Sequence, residues 1–140
     1  MSEHAGDGEA AARLVRAYYR ALEQGEPLDE FYATDDEAGA LGPVVKIGSG
    51  EGEVFTGYSA VASEVARVRA TFAHNRLESR GLRVRRTGDV AWFVDLVWWS
   101  GLAAGKPFAS LTRWTGVILR LADDRWKVVQ LHVSEGVIGG

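Results

Sequence analysis

From residue 75 to residue 135 the chain reads as four extended segments separated by turns. They run roughly over 75–87, 90–100, 107–121 and 125–135 and are rich in Val, Leu, Trp, Phe and Thr. The breaks between them, TGD, GLAAGKP and ADD, are turn chemistry. Connections this short join antiparallel neighbours, so the segments form a meander. The segment 90–100, VAWFVDLVWWS, is apolar on both sides of its alternation: Trp92, Val94, Leu96 and Trp98 on one, Phe93, Asp95, Val97 and Trp99 on the other. A sheet with that much aromatic area needs cover on both faces.

The first half of the chain supplies cover for one face. Leu14, Val15, Tyr18 and Leu22 recur at three- and four-residue steps, which predicts a helix from about Glu9 to Gln24, stopped by Gly25. Pro27 opens a short second helix, PLDEFYA. A third helix over 59–73 places Val61, Val65, Val68 and Phe72 on one stripe, with Ser59 as its N-cap. Between these lie an acidic loop (34–42) and two short extended pieces, PVVKIGS and EVFTG, around the turn GSGEGE. Helices first and strands afterwards give an α+β fold, with three N-terminal helices packed on one face of a curved antiparallel sheet. Residues 1–8 read as a frayed polar tail and 9–138 as a single domain, which suits 140 residues and one core.

Several function classes drop out. The formal net charge is −3, and the densest basic group, Arg80, Arg83, Arg85 and Arg86, reads as a solvated strand face, so no nucleic-acid partner is expected. The absence of cysteine removes disulfides, thiolate metal sites and thiol nucleophiles. His4, His74 and His132 lack ligand spacing, so no metal is expected. IGSGEGEVFTG matches neither phosphate-loop pattern and no cofactor is expected, while Ser49 is outside a G-x-S-x-G context. The N-terminus lacks signal-peptide character, and AWFVDLVWW is too short to span a bilayer and contains Asp95. A soluble cytoplasmic protein without a membrane partner is the expectation.

The pieces AYYRALEQG, FYATDD, KIGSGEGEVFTGYSAV and GDVAWFVD, and the ending TRWTGVILRLADDRWKVVQLHVSEG with Trp126, His132 and Ser134, occur in a telling order. From about residue 10 to 136 the chain resembles the nuclear transport factor 2-like superfamily, closest to its SnoaL-like and kinase-association-domain-like branches. The resemblance implies a cone-shaped roll in which the helices close a strongly curved sheet around a mostly apolar pocket. It does not choose a reaction, because the superfamily holds isomerases, cyclases, dehydratases and non-catalytic binding or assembly domains.

Alternation then assigns faces. In the last strand Val129, Leu131 and Val133 form the apolar side expected to meet the helices. Gln130, His132 and Ser134, with Trp126 and Val128, fall on the other. In strand 108–120 the mostly apolar set Leu111, Arg113, Thr115, Val117 and Leu119 is expected to face the helices, which sets Arg113 in an apolar wall. There it is either internally paired, for instance with Glu53, or a clamp for a ligand's acidic group. The resemblance implies that Trp92 and Trp98 face the cavity, with Tyr18, Tyr32 and Phe72 closing it from the helices and Glu53 at its mouth. The outward side would carry Trp99, Trp114, Gln130 and His132 and form a homodimer through the sheet. Asp95 would lie on that side, or alternatively act as a pocket acid.

Three readings follow. The first is a binder of an apolar or aromatic small molecule whose acidic group is held by Arg113. The second is an isomerase-, cyclase- or dehydratase-like enzyme using Asp95 or His132 for proton transfer. The third is a non-catalytic homo-oligomeric assembly module. No catalytic residue is assigned.

Overall fold

A computed structural model describes residues 3–135. Helix α1 spans Glu3–Gln24, starting earlier than the apolar spacing alone indicates. It buries Ala11, Val15, Tyr18 and Leu22 along one stripe and exposes Arg13, Arg16 and Arg20. Gly25, at φ +70°, ends it by turning its N–H back to the carbonyl of Leu22. The expected second helix over PLDEFYA is only a 3-10 turn, Asp29–Phe31. Tyr32 is extended and forms a parallel bridge with Val128, which draws the chain out of helical geometry. A four-residue helix α2, Asp35–Ala38, follows instead, held by a reciprocal capping box between Thr34 and Glu37.

Helix α3 spans Tyr58–Thr71. Gly57, not Ser59, occupies its N-cap, and the Asp35 carboxylate accepts the Tyr58 N–H at 3.0 Å in place of a capping side chain. Phe72 is already the first residue of the next strand.

The strands are β1 (Val45–Ile47), β2 (Val54–Thr56), β3 (Phe72–Ser79), β4 (Arg83–Thr87), β5 (Val90–Ala103), β6 (Lys106–Arg120) and β7 (Trp126–Glu135). They form one sheet in the order β2-β1-β7-β6-β5-β3, with β4 pairing β5 beyond the end of β3. The meander from β4 to β7 is antiparallel, as the turns require. The sheet as a whole is mixed, because β1 runs parallel to β7. The architecture is therefore α+β, with α1 and α3 on the inner side of a curved, unclosed sheet and Ala38 of α2 packed with Val129, Val117 and Leu119 in a separate cluster. No helix among the described residues is long and apolar enough to cross a membrane.

The faces of the long strands differ from the expectation. Phe93, Asp95 and Val97 of β5, and Thr112, Trp114 and Ile118 of β6, point inward and are buried. Trp92, Leu96 and Trp98, with Leu111 and Arg113, point outward. Since β5 is apolar on both sides, its alternation could not choose between them. Two local features break the tie. Gly116 sits where a Cβ would lie 2.5 Å from the Phe93 ring and 2.7 Å from the Gln130 carbonyl, so its side of β6 is the crowded inner one. In β7 the pairing steps from Val117↔Gln130 to Ile118↔Val128, leaving Val129 as an extra bulged residue. The bulge shifts the alternation, so Trp126 and Val128 face inward together with Leu131 and Val133, while His132 faces outward opposite Thr115.

Candidate functional site

Curvature of the sheet leaves a cavity between its inner face and helices α1 and α3. It has two adjoining compartments of about 110 Å³ each, which share Ser49, Phe72, Trp99 and Val133. The outer compartment sets an aromatic cluster against the polar side chains of Ser110, Thr112, Ser134 and Glu135: the rings of Phe72, Trp99 and Phe108 meet with centroids 4.9, 5.4 and 5.6 Å apart. Asn75 fixes the Trp99 indole by accepting its N–H at 2.9 Å.

The inner compartment is walled by Tyr18, Leu22, Leu28, Val65, Trp114 and Leu131, and carries four charged side chains. Lys46 reaches it from the middle of β1. Glu64 and Arg67 come from one face of α3, and Glu53 from the turn between β1 and β2. Arg67 grips both oxygens of Glu64, Nε to Oε1 at 2.8 Å and Nη2 to Oε2 at 2.9 Å, the bidentate geometry a guanidinium favours. Lys46 Nζ makes only a long contact, 3.4 Å, to the already engaged Oε2. Arg67 also reaches Glu53 Oε2 at 3.4 Å. The other oxygen of Glu53 accepts the Gly50 N–H at 2.6 Å, and Gly48 and Gly50 fold so closely over it that a Cβ on either would lie 2.7 Å away.

Burial pushes the Lys46 ammonium below the usual lysine range, and the carboxylate of Glu64 offsets this only in part. For Glu64 burial acts upward, but the hydrogen bonds from Arg67 and the charge of Lys46 outweigh it and hold the carboxyl below its ordinary value. The two cations and two carboxylates balance.

Of the residues expected to bind a ligand, Tyr18, Phe72 and Glu53 line the cavity. Tyr32 stands behind Tyr18, their hydroxyls 2.6 Å apart. Trp92, Trp98 and Arg113 lie on the opposite face of the sheet. Arg113 is exposed and donates to the Glu135 carbonyl at 3.4 Å, and the partner of Glu53 is Arg67 instead. Of the residues expected on the outer face, Gln130 and His132 are there, whereas Trp99 and Trp114 line the cavity. Asp95 is inside the fold but off the cavity wall. It accepts Tyr19 O–H at 2.8 Å and Ser79 O–H at 2.7 Å on Oδ2, and Gly81 N–H at 3.1 Å on Oδ1.

Sequence reasoning missed Lys46, Glu64 and Arg67, although two signals were present. Lys46 interrupts the apolar run PVVKI, and Glu64 falls on the stripe Val61, Val65, Val68 with an arginine three residues on. A charge at a core-facing position needs a partner, and these partner each other. Among the described residues no group of three or more candidate ligands is placed to hold a metal ion.

The sequence matches the family described as the SnoaL-like domain over residues 12–138. No curated protein matches it. Among solved structures, a proposed dehydratase of the NTF2-like family from Streptomyces avermitilis superposes with a TM-score of 0.84 at 24% identity, over 94% of this chain and 97% of that one. A proposed ketosteroid isomerase from Shewanella frigidimarina gives 0.72 at 23% identity, over 92% and 98%. A proposed calcium/calmodulin-dependent protein kinase II association domain from Xanthomonas campestris gives 0.73 at 19% identity, over 92% and 87%. At these identities the likeness concerns the fold. With the match spanning nearly all of the domain, the chain belongs to the SnoaL-like domain family, and its fold is the one seen in the NTF2-like structures above.

Proposed function

We propose that the protein binds a small, mostly apolar molecule through one neutral hydrogen-bond acceptor, a carbonyl oxygen, presented to Lys46. One observation carries this reading: a buried ammonium on the cavity wall whose single hydrogen bond is long, leaving donors for a ligand. The sequence pointed to an acidic ligand on Arg113. The charge balance around Lys46 favours a neutral acceptor instead, because an added carboxylate would have to sit beside Glu64. The aromatic compartment suits a flat ring. The ketone in the name of the Shewanella neighbour is consistent with this chemistry. Proton transfer by Asp95 or His132 gains no support from their positions.

Acetophenone and benzoate differ in the group they offer Lys46, and titrating both while following the indole N–H signals of Trp99 and Trp114 tests the proposal. The ketone is expected to shift both signals at sub-millimolar concentration and the carboxylate to bind more weakly. Lys46→Met should weaken ketone binding about tenfold, the worth of one charged hydrogen bond. It should still fold, since Arg67 continues to neutralise Glu64. Equal binding by the variant, or a preference for benzoate, would overturn the reading.

A second property rests on a different observation. Trp92, Leu96 and Leu111 are 47%, 47% and 44% exposed on one outer face, beside Trp98. We propose that a second copy of the chain covers this face, with His132 and Gln130 at the contact and Arg80, stacked 6.0 Å over Trp98, towards its rim. Sedimentation at micromolar concentration should give a dimer, and Leu96→Glu with Leu111→Glu a folded monomer. A monomeric parent protein would refute it.

A further inference from the structure

We propose that Lys46 is a nucleophile as well as a donor: it condenses reversibly with a small aldehyde or ketone in the cavity to form an imine. This rests on the binding reading above and adds a covalent step to it.

Three features of the site support the step. The first is placement. The Lys46 side chain is only 9% exposed, yet it lines the inner compartment, where Leu22, Leu28, Val65 and Leu131 form the apolar part of the wall. A carbonyl carbon that has entered among those side chains meets the amine away from bulk water. The second is the unequal sharing of Glu64. Arg67, which stays charged at any working pH, occupies both carboxylate oxygens at short distance, and Lys46 is left with the 3.4 Å contact. Its proton is therefore held weakly, and burial favours the neutral amine. The third is charge conservation. A protonated imine carries the same charge as the ammonium it replaces, so the balance with Glu64, Arg67 and Glu53 is unchanged by the reaction.

The chemistry closes without a further reagent. After the ammonium loses its proton to solvent, the nitrogen lone pair attacks the carbonyl carbon and the π pair moves to oxygen, which takes a proton. The nitrogen sheds a proton, giving a carbinolamine. Its C–O bond then breaks, the oxygen leaves as water with one added proton, and the nitrogen lone pair forms the C=N bond. Nothing is oxidised or reduced.

The chain has three lysines, Lys46, Lys106 and Lys127, which makes the test simple to resolve. Lys106 is exposed at the start of β6, and Lys127 donates to the Glu30 carbonyl at the surface. The intact protein is treated with benzaldehyde and cyanoborohydride at neutral pH, and the reduced adduct is located by peptide mass mapping. Lys46 is expected to be modified at least about tenfold faster than Lys106 or Lys127, with a pH–rate midpoint below the ordinary lysine range. Lys46→Arg should lose that adduct while keeping the fold. Acetophenone binding is measured alongside. If acetophenone binds but Lys46 reacts no faster than the surface lysines, the covalent step is overturned and the binding reading stands. If acetophenone does not bind and Lys46 is not preferred, both fail.

Discussion

Raising the pH a few units above about 10 is expected to unfold the protein in one cooperative step. Three of its four tyrosines, Tyr18, Tyr19 and Tyr32, are buried, and each phenol is pushed well above its ordinary range. Burial is the main cause in all three. For Tyr19 the neighbouring Asp95 charge adds to it, and for Tyr32 the Tyr18 hydroxyl does. In the unfolded chain the same phenols ionise near pH 10. Above that pH the unfolded state binds fewer protons than the folded one, so stability falls. Each tyrosine contributes about 1.4 kcal/mol per pH unit, or about 4 kcal/mol per unit together. Against a typical domain stability of about 5–15 kcal/mol, a few pH units are enough. Lys46 acts with the opposite sign just below this range: its lowered folded value means stability gained as the pH approaches about 10.4. Phenolate absorbance from three tyrosines should appear together with the loss of circular dichroism. Tyr19→Phe should reduce the alkaline slope by about a third. Ionisation of all three in a chain that stays folded would contradict the burial of these rings.

Asp95→Ala is expected to cost about 2–3 kcal/mol, the other large effect. The carboxylate ties Tyr19 of α1, Ser79 at the end of β3, and Gly81 in the link to β4, all onto β5. Alanine would leave the buried Tyr19 hydroxyl without an acceptor inside the fold, an expensive loss, and would also cut the ties to Ser79 and Gly81, which are exposed and can turn to water. Asp95→Asn keeps one oxygen and should lose less. Urea midpoints with unchanged slopes would measure both. Acetophenone affinity should persist in Asp95→Asn under conditions where it is folded. A fall in affinity without a fall in stability would return Asp95 to the ligand's side.

The order of elements was legible because it depends on local chemistry: glycine and proline at the ends of helices, TGD and ADD at the turns, and apolar stripes at helical spacing. The facing of the strands was not. Both sides of β5 carry large apolar side chains, and a single extra residue at Val129 shifts the alternation of β7, so the orientation of Arg113 depended on knowing which side of the sheet the helices cover. Gly116 held the missing information, since a glycine mid-strand marks a close approach. Within the cavity, helical stripes placed Tyr18 and Phe72 on the core side, and the family resemblance placed them and Glu53 at the cavity. Lys46 and Glu64 were hidden for a physical reason: each looks like an error in an apolar pattern until the partner from the other element is known.

The parallel pairing of β1 with β7 has a consequence for biosynthesis. Lys46 and Glu64 leave the ribosome well before the strand that flanks Lys46 and before the Leu131 wall of the cavity. Antiparallel neighbours can pair as they emerge, whereas β1 must wait until β3 to β6 have been made and β7 follows. The charged cluster therefore stays in water through that interval, and its cavity closes only once β7 is in place.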